Sequence, residues 1–438
     1  MTKRSVAVAL AGVVAFSLSA CGGTDSSSSK SSSKSSDSSA SGSAAATGAV
    51  NAKDPKRDAS ADLVIWADST AAPTVAKLAS EFAKQNGVKV SVQTATDVRG
   101  NYNTAFKAGQ APDIIVGAHD WMGELVANGS VAPVQLSAQT AAGFNPVAIT
   151  ASKYNGQTYG VPYAVENMAL VRNTAYAKDA PKTLDELIAT GQKAVDAKKA
   201  TNVLALEMGK VGDAYHGYPF LSAFKGGIFG TKANGDYDAS KLMVNSPETL
   251  KGANLLADLG KKKVLSTNID KTNADNLFAN GKAAYAITGP WSLPTYDKAG
   301  VKYAVSAMPT VTGGGKMTPF LGVQMFYVSS KAKNATVAQT FATSFLTTEA
   351  AQKRLFEIGK RPPALKAAFD AVAKTDPQVA QWAAAGEGAK PMPNIPAMNA
   401  VWQPLGQALA DVISGKSAPD ARFNKAQSEI QAAIKAGN

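Results

Sequence analysis

The sequence predicts an α/β protein built as two lobes. Short apolar strands alternate with amphipathic helices from Leu63 onward, and the stretch from Ala61 to Asn438 is too long for one small core. Turn and capping residues fall between these segments at the positions an α/β chain requires.

The first 60 residues stand apart from that pattern. Lys3 and Arg4 precede an apolar run from Val6 to Leu18, and Ser19 and Ala20 lead into Cys21, the only cysteine. The run falls short of the roughly 20 residues a spanning helix needs, so it reads as a secretory signal. Residues Leu18-Ser19-Ala20-Cys21 resemble a bacterial lipobox, which implies cleavage before Cys21 and its lipidation. The protein is then expected on the extracytoplasmic face of a bacterial cell membrane. A single cysteine rules out an intrachain disulfide. Residues 22–60 are dominated by Ser, Ala, Gly, Lys and Asp. With so little apolar surface they are expected to form a disordered tether, and about 40 such residues reach roughly 35 Å.

The elements then follow in order. Leu63 to Ala67 reads as a buried strand, and Val75, Leu78, Ala79 and Phe82 mark one face of a helix stopped by Gly87. Val88 to Thr94 and Asp113 to Val116 read as further strands. Asp120 is placed to cap a helix from Trp121 to Asn128, ended by Gly129. Thr183-Leu184-Asp185-Glu186 is a capping box, and Ser246-Pro247 opens another helix. Such alternation argues for parallel-type sheets covered by helices. Ligands then bind beyond the strands' carboxyl ends, which here are Ala67 to Thr70 and Gly117 to Trp121.

Candidate chemistry is sparse. Two histidines, His119 and His216, are too few for a His-rich metal site, no zinc motif appears, and no metal or other cofactor is expected. His119 reads as a packed loop residue. Gly415-Lys416-Ser417 ends like a phosphate loop, but Ala410 stands where the first glycine belongs. The formal charge of +12 is scattered rather than striped, which argues against nucleic acid. Trp66, Trp121, Trp291, Trp382 and Trp402 offer apolar planes suited to the C–H face of a sugar ring, while carboxylates accept hydrogen bonds from its hydroxyls. Trp66, inside a strand, and Trp382, in an Ala-rich helix, read as core.

Phe278-Ala279-Asn280-Gly281-Lys282-Ala283-Ala284-Tyr285, continuing through Ile287-Thr288-Gly289-Pro290-Trp291, resembles the hallmark of family 1 extracellular solute-binding proteins. Within that family the chain resembles the maltose/maltodextrin-binding branch through Ala118-His119-Asp120, Ala164-Val165-Glu166 and Met392-Pro393-Asn394-Ile395-Pro396. The resemblance implies a type II periplasmic-binding fold with ligand in the interlobe cleft. It places one lobe at 61–165 with 322–371 and the other at 166–321 with 372–438, with crossovers near Ala164 to Met168, Leu321 to Phe326 and Ala371 to Pro377. It implies a non-enzymatic, monomeric protein that captures maltose or maltodextrins and delivers them to the permease of an ABC importer. Asp120 and Glu166 match carboxylates that hold sugar hydroxyls. Tyr215, Trp291 and Trp402 match stacking positions, and Asp213 stands where glutamate is usual. Asp68 is near enough to contribute. Gly117 replaces an aromatic, for which Trp121 is positioned to substitute. Two alternatives stay open: a different oligosaccharide, and a secreted glycoside hydrolase using Asp120 with Glu166 or Asp213.

Overall fold

A computed structural model describes residues 51–233 and 236–437. The signal segment, Cys21 and the Ser-rich run through 50 lie outside the described residues.

Two sheets organise the chain. The first runs, by hydrogen bonding, Lys390–Pro391, Phe320–Val328, Ile114–Ala118, Leu63–Ala67, Val90–Thr94, with Gly160–Asn167 also paired to Phe320–Val328. The second runs Tyr303–Ser306, Ala169–Asn173, Ala283–Thr288, Asn202–Leu206. Both are sandwiched by apolar layers, as the two-residue side-chain period demands. Leu63 and Ile65 join Phe82 and Leu78 on one face, while Val64 and Trp66 join Tyr102 and Leu125 on the other. In the second sheet, Leu170, Leu204 and Ile287 face one cluster, and Ala169, Ala205 and Ala286 the other.

The sheets are mixed rather than parallel-type. Leu63–Ala67 is parallel to both neighbours, and Ala283–Thr288 is parallel to Asn202–Leu206. The remaining long pairs are antiparallel. The reason is connectivity. The chain leaves one sheet in Gly160–Asn167 and enters the other in Ala169–Asn173, with only Met168 between, so no crossover helix sets a parallel register. It returns between Tyr303–Ser306 and Phe320–Val328.

Local signals act largely as expected. Helix Ala72–Asn86 ends at Gly87 in the left-handed region (φ 65°), and Ser246 caps Pro247–Lys261 by accepting from Thr249 N. Thr183 accepts from Glu186 N, but Glu186 reaches back to Lys182 N instead of Thr183 N, so the box closes one residue early. Asp120 does not cap a helix: His119–Trp121 forms a 3-10 turn, helix Met122–Ala127 has no side-chain cap, and Asp120 is used elsewhere.

Residues 51–60, expected within the tether, are fastened to the first sheet. Thr96 N donates to Ala52 O at 2.7 Å, and the Gln93 side-chain amide donates to Lys56 O at 2.8 Å. Arg57 lies buried, with Nη2 2.8 Å from Asp113 Oδ2. Asp113 also accepts from Val64 N (2.8 Å) and Lys333 N (2.7 Å), so one carboxylate ties the arm, the first strand and the 329–334 turn together. Composition conceals this because the partner that makes Arg57 structural is 56 residues away.

Candidate functional site

A cleft of about 1120 Å³ lies between the two sheets. Its walls begin at strand ends. Leu63–Ala67 leads into Asp68, Ile114–Ala118 into Asp120 and Trp121, Asn202–Leu206 into Glu207, and Ala283–Thr288 into Trp291. All eight side chains singled out from sequence, Asp68, Asp120, Trp121, Glu166, Asp213, Tyr215, Trp291 and Trp402, line this one cleft. Trp66 and Trp382 do not; they are 0 % and 2 % exposed within cores, and Trp66 Nε1 donates to Gln93 Oε1.

Two glycines seat the tryptophans. A Cβ at Gly117 would lie 1.9 Å from the Trp121 ring, and one at Gly289 would lie 2.0 Å from the Trp291 ring. Each indole therefore lies flat against bare backbone at the end of a strand, one in each lobe. The missing aromatic at Gly117 thus makes room for Trp121. The Arg99 guanidinium sits 5.9 Å from the Trp121 ring and 3.7 Å from Glu124. Tyr215 packs near-parallel to Phe320, with centroids 6.3 Å apart, and lies 6.3 Å from Trp291.

Polar groups are held between these planes. Trp402 Nε1 donates to Asp120 Oδ2 at 3.1 Å, a contact joining the start of the Trp402–Ile413 helix to the first sheet. Asp120 Oδ1 is buried without a partner. Burial raises the Asp120 carboxyl above the ordinary carboxylate range, while Arg99 and the Trp402 hydrogen bond hold it back. Asp68 Oδ1 accepts from Thr70 N and Ala71 N, each at 2.8 Å, which shapes the adjoining turn. His119 is wholly buried: Nδ1 accepts from Val323 N at 3.1 Å, leaving Nε2–H to donate to Met392 O at 3.0 Å. Burial pushes it down to about 4, so it is neutral and structural.

Sequence reasoning missed Arg361 and Gln324. Glu166 Oε1 accepts from Gln324 Nε2 at 2.8 Å, and its Oε2 is paired with Arg361 Nη1. The Arg361 guanidinium also lies over Trp291, 5.1 Å from its centroid. Burial opposes the charge on Arg361, but Glu166, Tyr163 and Asp68 together outweigh it and raise the guanidinium's pKa further. Nothing local in Lys360-Arg361-Pro362 points to a binding cleft; the pairing is made by distant backbone, where Val165 N donates to Pro362 O.

One further group gathers in the second lobe. Asp213 caps helix Ala214–Ser222 through Oδ1, which accepts from His216 N at 2.8 Å. Glu207, Asp213 and His216 bring their ligating atoms within 4.8 Å of one another, although the scarcity of histidine and cysteine gave no such expectation. Burial raises the Glu207 carboxyl. For Asp213 burial acts in the same direction, but His216 outweighs it and lowers the pKa.

A two-lobed α/β fold whose strand ends surround an aromatic, carboxylate-lined cleft defines a solute-binding protein. Residues 77–385 match the bacterial extracellular solute-binding protein family, and the chain belongs to it. It is 29 % identical to a galactooligosaccharide-binding protein of Bacillus subtilis over 100 % of this chain and 98 % of that one. It is also 28 % identical to a maltooligosaccharide ABC transporter solute-binding lipoprotein of Streptococcus pneumoniae, over 89 % and 93 % of the two chains. A maltotriose-binding protein of Pyrococcus abyssi is 27 % identical over 81 % and 78 %. The family is one of binding proteins, so the hydrolase alternative falls and the chain is not an enzyme.

Proposed function

We propose that this protein captures a neutral oligosaccharide, of the maltodextrin or galactooligosaccharide type, and delivers it to an ABC importer. The observation that carries this is the convergence of eight sequence-nominated side chains on one cleft walled by Trp121 and Trp291, each seated on a glycine. Aromatic planes suit sugar C–H faces, and the carboxylates between them suit hydroxyls. Glu166 and Arg361 neutralise each other, so this end of the cleft favours uncharged rings. Asp68 and Asp120 act from the first lobe, and Asp213, Tyr215, Trp291 and Trp402 from the second. The division at 61–165 with 322–371 and 166–321 with 372–438 lets hinge closure bury the sugar. Lipidated Cys21 holds the monomer at the membrane, next to the permease.

The maltodextrin reading rests on the Met392-Pro393-Asn394-Ile395-Pro396 segment and Trp402. A galactooligosaccharide reading is favoured by the relative matched along the entire chain. A thermal-shift screen over maltose, maltotriose, β-1,4-galactooligosaccharides, cellobiose and galacturonate oligomers tests both. A rise in melting temperature with a neutral oligosaccharide, and none with the uronates, is expected. Stabilisation by the uronates alone would overturn the assignment.

A further inference from the structure

The cluster Glu207, Asp213 and His216 is more than a set of nearby charges. Asp213 Oδ1 is committed to its helix cap, which leaves Oδ2 to face the His216 ring. His216 is only 6 % exposed, and its ring is fixed edge-on to Tyr215 (centroids 5.6 Å) and Trp291 (6.4 Å). Its Nδ1 lies 3.2 Å from Asp213 Oδ2, yet it is buried without a hydrogen-bond partner. That separation is an ion-pair contact inside the cluster. Two ligands of one tetrahedral ion, at bond lengths of roughly 2.0–2.2 Å, stand about 3.4 Å apart, close to that spacing. Glu207 completes the group, and among the described residues its carboxylate has no hydrogen bond or salt bridge; all three side chains border the open cleft.

We propose that Glu207, Asp213 and His216 bind a divalent transition-metal ion of the zinc class, with the open coordination position facing the cleft. One imidazole and two carboxylates suit zinc, manganese or iron, whereas calcium and magnesium take oxygen ligands alone. Asp275, also on the cleft wall, adds negative charge toward His216 and Glu207, partly offset at Glu207 by Lys271. The ion site shares Asp213 with the proposed sugar contacts, but it needs no sugar to form.

The test is calorimetric titration of the untagged, chelator-treated protein with zinc chloride alone, followed by the absorption spectrum with cobalt(II). One saturable site with Kd below about 0.1 mM is expected, together with a cobalt band of tetrahedral intensity. Glu207→Gln, close in shape to the native residue, and His216→Ala should each weaken zinc binding at least about tenfold. Absence of saturable binding in the wild-type protein would overturn the proposal. So would zinc affinity unchanged in both variants, which would assign the ion to other groups. The sugar screen is run in chelator, so its failure and this one are read separately.

Discussion

An added methyl group at Gly117 or Gly289 would collide with the indole lying on it, at 1.9 and 2.0 Å. Neither glycine has a positive φ, so the demand is for space and not for an unusual backbone. Gly117→Ala and Gly289→Ala should therefore displace Trp121 and Trp291 respectively. Each should weaken oligosaccharide binding by about tenfold or more, the scale on which a misplaced hot-spot aromatic is felt. Calorimetry on the two variants checks this; native affinity in both would show that the indoles are not ligand platforms. Glu166 illustrates a different division of labour. Both its oxygens already accept from protein donors, so part of its task is to fix Arg361 against Trp291.

The N-terminal arm and the turn around His119 are held by single buried polar groups, and each gives a measurable consequence. Arg57 and Asp113 form an ion pair whose side chains are 4 % and 0 % exposed. Removing one member leaves a buried charge unpaired, so Arg57→Ala should lower stability by about 3 kcal/mol in denaturant unfolding. A change below about 0.5 kcal/mol, the size of an ordinary surface substitution, would contradict the arm's role. His119 has a folded pKa of about 4 against an unfolded value of 6.5. The group is depressed, so its contribution is complete above pH 6.5 and is lost as pH falls toward 4, because the unfolded chain takes up a proton that the folded one refuses. That contribution is about 3 kcal/mol at most. His119→Gln should be less stable at pH 7 but should lose less between pH 6.5 and 4. Parallel wild-type and variant profiles would refute it.

At the scale of the whole molecule, the alternation of strands and helices was legible from short-range pattern, and the cleft residues from the resemblance to the solute-binding family. What depends on distant partners was not legible. Arg361 acquires its place through Glu166, Arg57 through Asp113, and His216 through Asp213 and Glu207. Asp120 was legible as a cleft residue but not in its structural task, since Trp402, its donor, lies 282 residues away. Net charge is also a whole-molecule property. The chain carries +12, yet the bound ligand is neutral in this account. Raising salt from about 20 to 150 mM should then change affinity less than about twofold, because screening has no ligand charge to act on. A steep loss would point to an anionic ligand instead.

The central claim, that oligosaccharide lies in the interlobe cleft against its tryptophans, is tested most directly by comparing two of them. Trp402 reaches the cleft and bonds to Asp120, whereas Trp382 is sealed in a core with Ala205, Phe278 and Tyr296. Calorimetric titration of maltotriose and a β-1,4-galactooligosaccharide is paired with thermal unfolding of Trp402→Ala and Trp382→Ala. Trp402→Ala should lose about 2 kcal/mol of binding, roughly thirtyfold, and should lower the unliganded melting temperature, through the lost hydrogen bond to Asp120, less than Trp382→Ala does. Trp382→Ala should melt earlier, through the cavity left behind, and bind normally while folded. Wild-type affinity in Trp402→Ala would contradict the account.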